Sequence, residues 1–236
     1  MSIENKLILA RNKVLDRLKD TFKKVAIEGH VFGSIARGDD DFYSDIDIWF
    51  TFNDEEFEKI KNKRFEYYSY LGQILHVCEP PQNAPINGIH SALIINDQES
   101  LIMVDIYLCP QSSSFMTKEA KKLFGENLTL GEIGLNPQKV KVDQDYRIDF
   151  FICFLFNAIK KIKRNQKLPL VFVFEQYDKL IENYNIQLKK LQKRKHDIET
   201  LEEIIEIIKN HSNDKQKKVL SHIHNFMRRV LNTDLT

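Results

Sequence analysis

Apolar and polar positions repeat along this chain with two different periods, and the change of period divides it. Ile3, Leu7, Leu9, Val14, Leu15 and Leu18 approximate one stripe of a 3.6-residue repeat, which predicts a first helix over residues 3–22. Residues 25–32 then read as a strand ending in Gly33-Ser34. A polar ten-residue loop, IARGDDDFYS, leads into Asp45-Ile46-Asp47-Ile48-Trp49-Phe50, where charged and apolar residues alternate with the period of a second strand. Asn53 is a good helix N-cap. Asp54, Glu55 and Glu56 in the first turn and helical spacing to about residue 71 predict a helix after it.

The Pro- and Asn-rich run EPPQNAPING, residues 79–88, predicts a loop between two β-like runs, ILHV and IHSALII. Residues 96–99 read as a hairpin turn into LIMVDIYL, which alternates again and carries Asp105. From about Asp143 the period becomes helical through residue 231, broken near Pro169 and at residues 211–214. The expected fold is therefore α+β: a mixed sheet with helices in residues 1–142, followed by a helical bundle in residues 143–236. In that second half FFICFLF reads as core at helical spacing, and QLKKLQKRKH as the exposed face of a long helix.

Charge sharpens the division. Residues 1–142 hold 17 Lys and Arg against 21 Asp and Glu, whereas residues 143–236 hold 18 against 13. The near balance of the whole argues against a broad phosphate-binding surface, so long nucleic acid is not expected as a partner. The longest apolar runs fall short of the roughly 18 residues that suggest a membrane span. The N-terminus lacks the apolar segment of a signal peptide, and the expectation is a cytoplasmic protein. Cys78, Cys109 and Cys153 are scattered and show no CxxC spacing, so they are expected to be buried free thiols rather than disulfides or zinc ligands.

Candidate chemistry concentrates in residues 31–48. Period-two alternation would put Asp45 and Asp47 on one face of a strand, with both carboxylates within reach of one or two divalent cations, Mg²⁺ for preference. Gly33 would let the backbone approach a phosphate, and Ser34 could supply N–H and O–H donors to it. Separately, a Gly-Ser turn and two wet aspartates on an edge strand are ordinary. Together and in this order they are specific.

The string GSIARGDDDFYSDIDI resembles the signature of the DNA-polymerase-β-like nucleotidyltransferases: an apolar strand, Gly-Ser, about ten residues, then Asp-apolar-Asp. Its Ala-Arg-Gly and the Ser before Asp45 resemble the small bacterial members, among them aminoglycoside and lincosamide nucleotidyltransferases and antitoxin-type enzymes. The resemblance spans residues 25–108. It implies a Mg²⁺–NTP site at Gly33, Ser34, Asp45 and Asp47, with ATP the expected nucleotide, and a third carboxylate on a neighbouring strand, for which Asp105 is the candidate. It implies transfer of a nucleoside monophosphate to a hydroxyl of a small molecule, with an aminoglycoside or lincosamide as the family-suggested acceptor. Alternatives are modification of tRNA or a protein and, from another class, a non-catalytic nucleotide-binding module on the same fold.

Weaker signals surround this core. Arg37 could reach triphosphate oxygens or simply be solvated. Lys160, Lys161, Lys163 and Arg164 form a basic cluster on a predicted helix. Such a run is ordinarily a solvated face, and the resemblance offers triphosphate contact instead. His90, in an apolar strand, reads as a structural histidine rather than a catalyst.

Overall fold

The structure, a computed structural model, describes residues 1–115, 119–125, 144–164, 173–180 and 198–231. The chain divides into two compact units, Met1–Val140 and Lys141–Thr236.

In the first unit, helix α1 (Ile3–Phe22) begins behind Ser2, whose side chain accepts the Asn5 N–H. Leu7, Ala10, Val14, Leu18 and Phe22 are its buried apolar stripe, whereas Leu9 stands exposed. Six strands follow the sheet order β3-β4-β5-β2-β1-β6. They are β1 (Glu28–Phe32), β2 (Ile46–Phe52), β3 (Gln73–Cys78), β4 (Ile89–Asp97), β5 (Ser100–Pro110) and β6 (Lys121–Gly125). The β2–β5 pair is parallel and the other pairs are antiparallel. Phe22 stacks on Phe50 of β2 with ring centroids 4.3 Å apart, so α1 covers the sheet face that carries Ile48, Phe50 and Phe52. Helix α3 (Asp54–Ser69) follows β2 and has Asn53 at its N-cap position. The expected mixed sheet with helices is therefore found.

Two local expectations are corrected, and one strand is added. Gly33-Ser34 and the first three residues of the expected loop form a short helix, α2 (Gly33–Arg37), because Ser-Ile-Ala-Arg tolerates helical angles and Gly38, at φ 78°, closes the turn. The β4–β5 turn is the two-residue Gln98-Glu99, both left-handed at φ 50° and 67°. Strand β6 had no distinct sequence signal, since KKLFG gains its β structure from pairing with the edge of β1.

The described part of the second unit is helical: α4 (Gln144–Lys163), residues 173–180, α5 (Ile198–Asn210) and α6 (Asp214–Leu231). The expected break at residues 211–214 is present. Asn213 and Gln216 exchange reciprocal 3.0 Å backbone-to-side-chain bonds that start α6. The Gln216 amide also donates to the Asp149 carboxylate and the Asp145 carbonyl, which ties α6 to α4. Most of FFICFLF is buried core, as expected. Pro169 and QLKKLQKRKH lie outside the described residues. All three cysteines are buried thiols outside any disulfide. Among the described residues no helix is long and apolar enough to cross a membrane.

Candidate active site

The two central strands meet in parallel with Asp47 of β2 directly opposite Asp105 of β5. Alternation along each strand puts Asp47, Trp49 and Thr51 on one face, in register with Asp105, Tyr107 and Cys109. The opposite face of the sheet is the one that α1 covers, so both carboxylates stand on the side away from that helix. Asp45 immediately precedes β2, which begins at Ile46, so it belongs to the end of the incoming loop rather than to the strand.

Burial, and then the charge of Asp105, push the Asp47 carboxyl up from 3.8 to about 6, against the opposing pull of His90 and Arg37. Beneath it lies Gly33, at φ 66°, where a Cβ would collide with Oδ2 of Asp47. Only glycine therefore fits the end of β1 with Asp47 in place. The next residue, Ser34, is the second of α2, and its carbonyl accepts the N–H groups of Gly38 and Asp39.

Below the aspartates, four rings run across four strands in register: His30, Trp49, Tyr107 and His90. Successive centroids are 6.4, 5.2 and 4.5 Å apart and the rings lie nearly parallel. Ser114 locks this floor, accepting from Trp49 Nε1 at 2.8 Å and sharing a 2.5 Å hydrogen bond with the Thr51 hydroxyl. Burial and the nearby charges of Asp105 and Asp47 raise the Tyr107 phenol, which keeps it neutral.

His90 is the residue that sequence reasoning assigned to structure alone. Its Nε2 lies 2.7 Å from Oδ1 of Asp105, and its ring stacks on Tyr107. Nδ1 is buried without a hydrogen-bond partner among the described residues, which favours the tautomer with the proton on Nε2, donating to the carboxylate. The signal was present in the hairpin: Asp97 opposite Ser100 forces His90 opposite Tyr107, diagonal to Asp105.

Arg37 is exposed and held by Asp39 at 3.3 Å and Glu119 at 3.2 Å. Its charge nevertheless acts on Asp47. Of the basic cluster on α4, Lys160 is buried with its ammonium 4.9 Å from the Phe156 ring centre, while Lys161, Lys163 and Arg164 are half-buried. The first of them is thus not part of a solvated face.

The pair of carboxylates that the strands bring together over Gly33 is thus Asp47 with Asp105, on adjacent strands, rather than Asp45 with Asp47 on one strand. Residues 11–104 match the family model of the nucleotidyltransferase domain. The chain carries a nucleotidyltransferase domain. Nucleotidyl transfer is the chemistry that goes with it, and the resemblance read from GSIARGDDDFYSDIDI is borne out. No curated protein matches the chain. Among solved structures, the chain is similar to a STING-associated CdnE c-di-GMP synthase from Capnocytophaga granulosa. They share 16% identity over 94% of this chain and 83% of that one, with a TM-score of 0.32. It is also similar to a CdnE cyclic dinucleotide synthase from Elizabethkingia meningoseptica, solved with GTP and Apcpp. There the identity is 14% over 98% of each chain, with a TM-score of 0.28. Likeness of that degree bears neither on substrate nor on mechanism.

Among the described residues no three His, Cys, Asp or Glu side chains are gathered closely enough to hold a metal ion, so the full set Asp45, Asp47 and Asp105 is not assembled as a cage. The donors nevertheless fit Mg²⁺. They are hard carboxylate oxygens, two of them sit side by side, and one is strained by the charge of the other. Mg²⁺ characteristically takes one or two carboxylates and completes its shell with waters and substrate phosphates.

Proposed function

We propose that this protein transfers a nucleoside monophosphate from an NTP, ATP first among them, to a hydroxyl of a small acceptor with Mg²⁺ as cofactor. The observation that supports it most is the pairing of Asp47 with Asp105 over Gly33. Two half-buried carboxylates held side by side are unfavourable unless a cation is shared between them. Asp47 and Asp105, joined by Asp45 from the loop, would hold the ion. When bound, it neutralises charge on the triphosphate and on the departing pyrophosphate.

The chain's own residues do the rest. The backbone at Gly33 and Ser34 cradles the phosphates, and Arg37 adds positive potential beside them. The acceptor oxygen attacks the α-phosphorus, the bond from that phosphorus to the β-phosphate bridging oxygen breaks, and pyrophosphate leaves. Asp105 takes the hydroxyl proton, and His90 keeps its carboxylate aimed. A nucleotide-binding module without catalysis would have no use for this third carboxylate.

Labelled NTPs, incubated with protein, Mg²⁺ and a panel of acceptors, test the proposal. The panel holds aminoglycosides, lincosamides, a second nucleotide, tRNA and proteins. Mg²⁺-dependent label on a small hydroxyl compound with pyrophosphate release is expected. Label on tRNA or protein would move the acceptor class, and no pyrophosphate release with any NTP would leave a binding module.

A further inference from the structure

The loop that delivers Asp45 is tied down from outside itself. Arg11, on α1, is 6% exposed, and its guanidinium reaches across to residues 40 and 41. One nitrogen, Nη1, donates to the Asp41 carbonyl and the other, Nη2, to the Asp40 carboxylate. The loop is also knotted internally. Tyr43 N–H donates to the Asp41 carboxylate at 2.9 Å, Asp41 N–H to the Ser44 hydroxyl at 2.9 Å, and Ser44 N–H to the Asp41 carbonyl at 3.2 Å. Residues 41–44 therefore move as one turn, and that turn ends at Asp45. At the other end of the segment, Gly38 is left-handed. Between this pivot and the start of β2 the Arg11 fork is a long-range tie to α1.

We infer that Arg11 is a positioning residue for the metal site, holding Asp45 at the mouth of β2 through Asp40 and the 41–44 turn. This rests on the reading of Asp45 as a metal-holding carboxylate. A planar fork is what the task requires, because a carboxylate and a carbonyl are engaged at once by two nitrogens of fixed geometry, whereas a lysine ammonium is a single point. A purely structural ion pair between α1 and the domain would as readily have ended on the sheet. This one ends on the catalytic loop, four residues from Asp45 on its carbonyl arm.

The test uses the full chain, Mn²⁺ as the probe read by electron paramagnetic resonance, and amide hydrogen exchange over residues 41–45. Arg11→Lys and Asp40→Asn should each speed exchange in the loop and weaken Mn²⁺ binding about tenfold, the scale of losing a partner that orients a metal ligand. The double variant should be no worse than Arg11→Lys alone, since that variant already loses the contact to Asp40. Asp40→Asn lies at the more exposed end of the pair and keeps the test open if Arg11→Lys fails to fold. Unchanged loop exchange, or faster exchange with unchanged Mn²⁺ affinity, overturns the inference while wild-type binding stands. A wild type that takes up no Mn²⁺ strikes the metal reading itself and overturns the inference with it.

Discussion

Asp47 and Asp105 are register partners on parallel strands, and the charge of the second helps hold the carboxyl of the first near 6. A folded-state value raised above the unfolded one contributes stability that is complete below 3.8 and lost as pH rises through about 6. At neutral pH the metal-free protein therefore carries an ionised Asp47 at a cost. Discounted for partial exposure, the shift corresponds to about 2 kcal/mol. Asp47→Asn should raise the melting temperature by several degrees at pH 8 without divalent ions, give no gain at pH 4, and cut turnover by orders of magnitude. Thermal melts at the two pH values decide it, and a lower midpoint at pH 8 would sink the electrostatic account.

Asp105 and His90 should act as a unit. Asp105→Asn is expected to keep NTP affinity within a fewfold and lose about 100-fold or more in kcat, because phosphate binding runs through Gly33 and Ser34. His90→Phe keeps a ring on Tyr107 but removes the donor to Asp105, and about tenfold in kcat should go with it. The double variant should be no slower than Asp105→Asn alone. Steady-state kinetics on the three variants read this directly, and additive losses would separate the two residues.

Two left-handed glycines border α2 and predict opposite outcomes. Gly33→Ala meets both the backbone strain of φ 66° and the Asp47 carboxylate, so it should destabilise by about 2 kcal/mol or more and abolish turnover. Gly38→Ala, at φ 78° with nothing within 4 Å of its Cβ, should lose only about 1 kcal/mol and remain active. Equal losses of activity in the two would show that strain in α2, and not the seat of Asp47, governs the site.

Elements whose burial is periodic were legible in the sequence, and elements made by contact were not. Helix α1, the strands carrying Asp47 and Asp105, α3 and the break before α6 follow from spacing and caps alone. The motif residues Gly33, Asp47 and Asp105 converge because strand register does the work. Helix α2 escaped because five residues show no period, and Gly38 closes it from beyond the apparent turn. The His90–Asp105 bond needed a register one notch finer than the turn at residues 96–99 supplied. Arg11 was hidden most deeply: in the sequence it is one charge on the polar side of a helix, and its partner lies 29 residues away.

The ring floor under the aspartates makes the last prediction. His30 is 2% exposed, and burial first, then the nearby Lys122 charge, lower its pKa from 6.5 to about 4. A folded-state value below the unfolded one gives stability that is full above 6.5 and lost as pH falls from 6.5 to about 4, because the unfolded chain takes up the proton first. The loss approaches about 3 kcal/mol at the acid end. Asp47 acts with opposite sign in nearly the same window, so the pH profile of the wild type alone would blur the two. His30→Phe retains Asp47 and a ring to stack on Trp49 while removing the titration. The melting temperature of His30→Phe relative to wild type should therefore climb steadily between pH 7 and pH 4.5. A difference independent of pH would mean that His30 accepts its proton in the folded state, and that the four-ring floor tolerates a charge at its end.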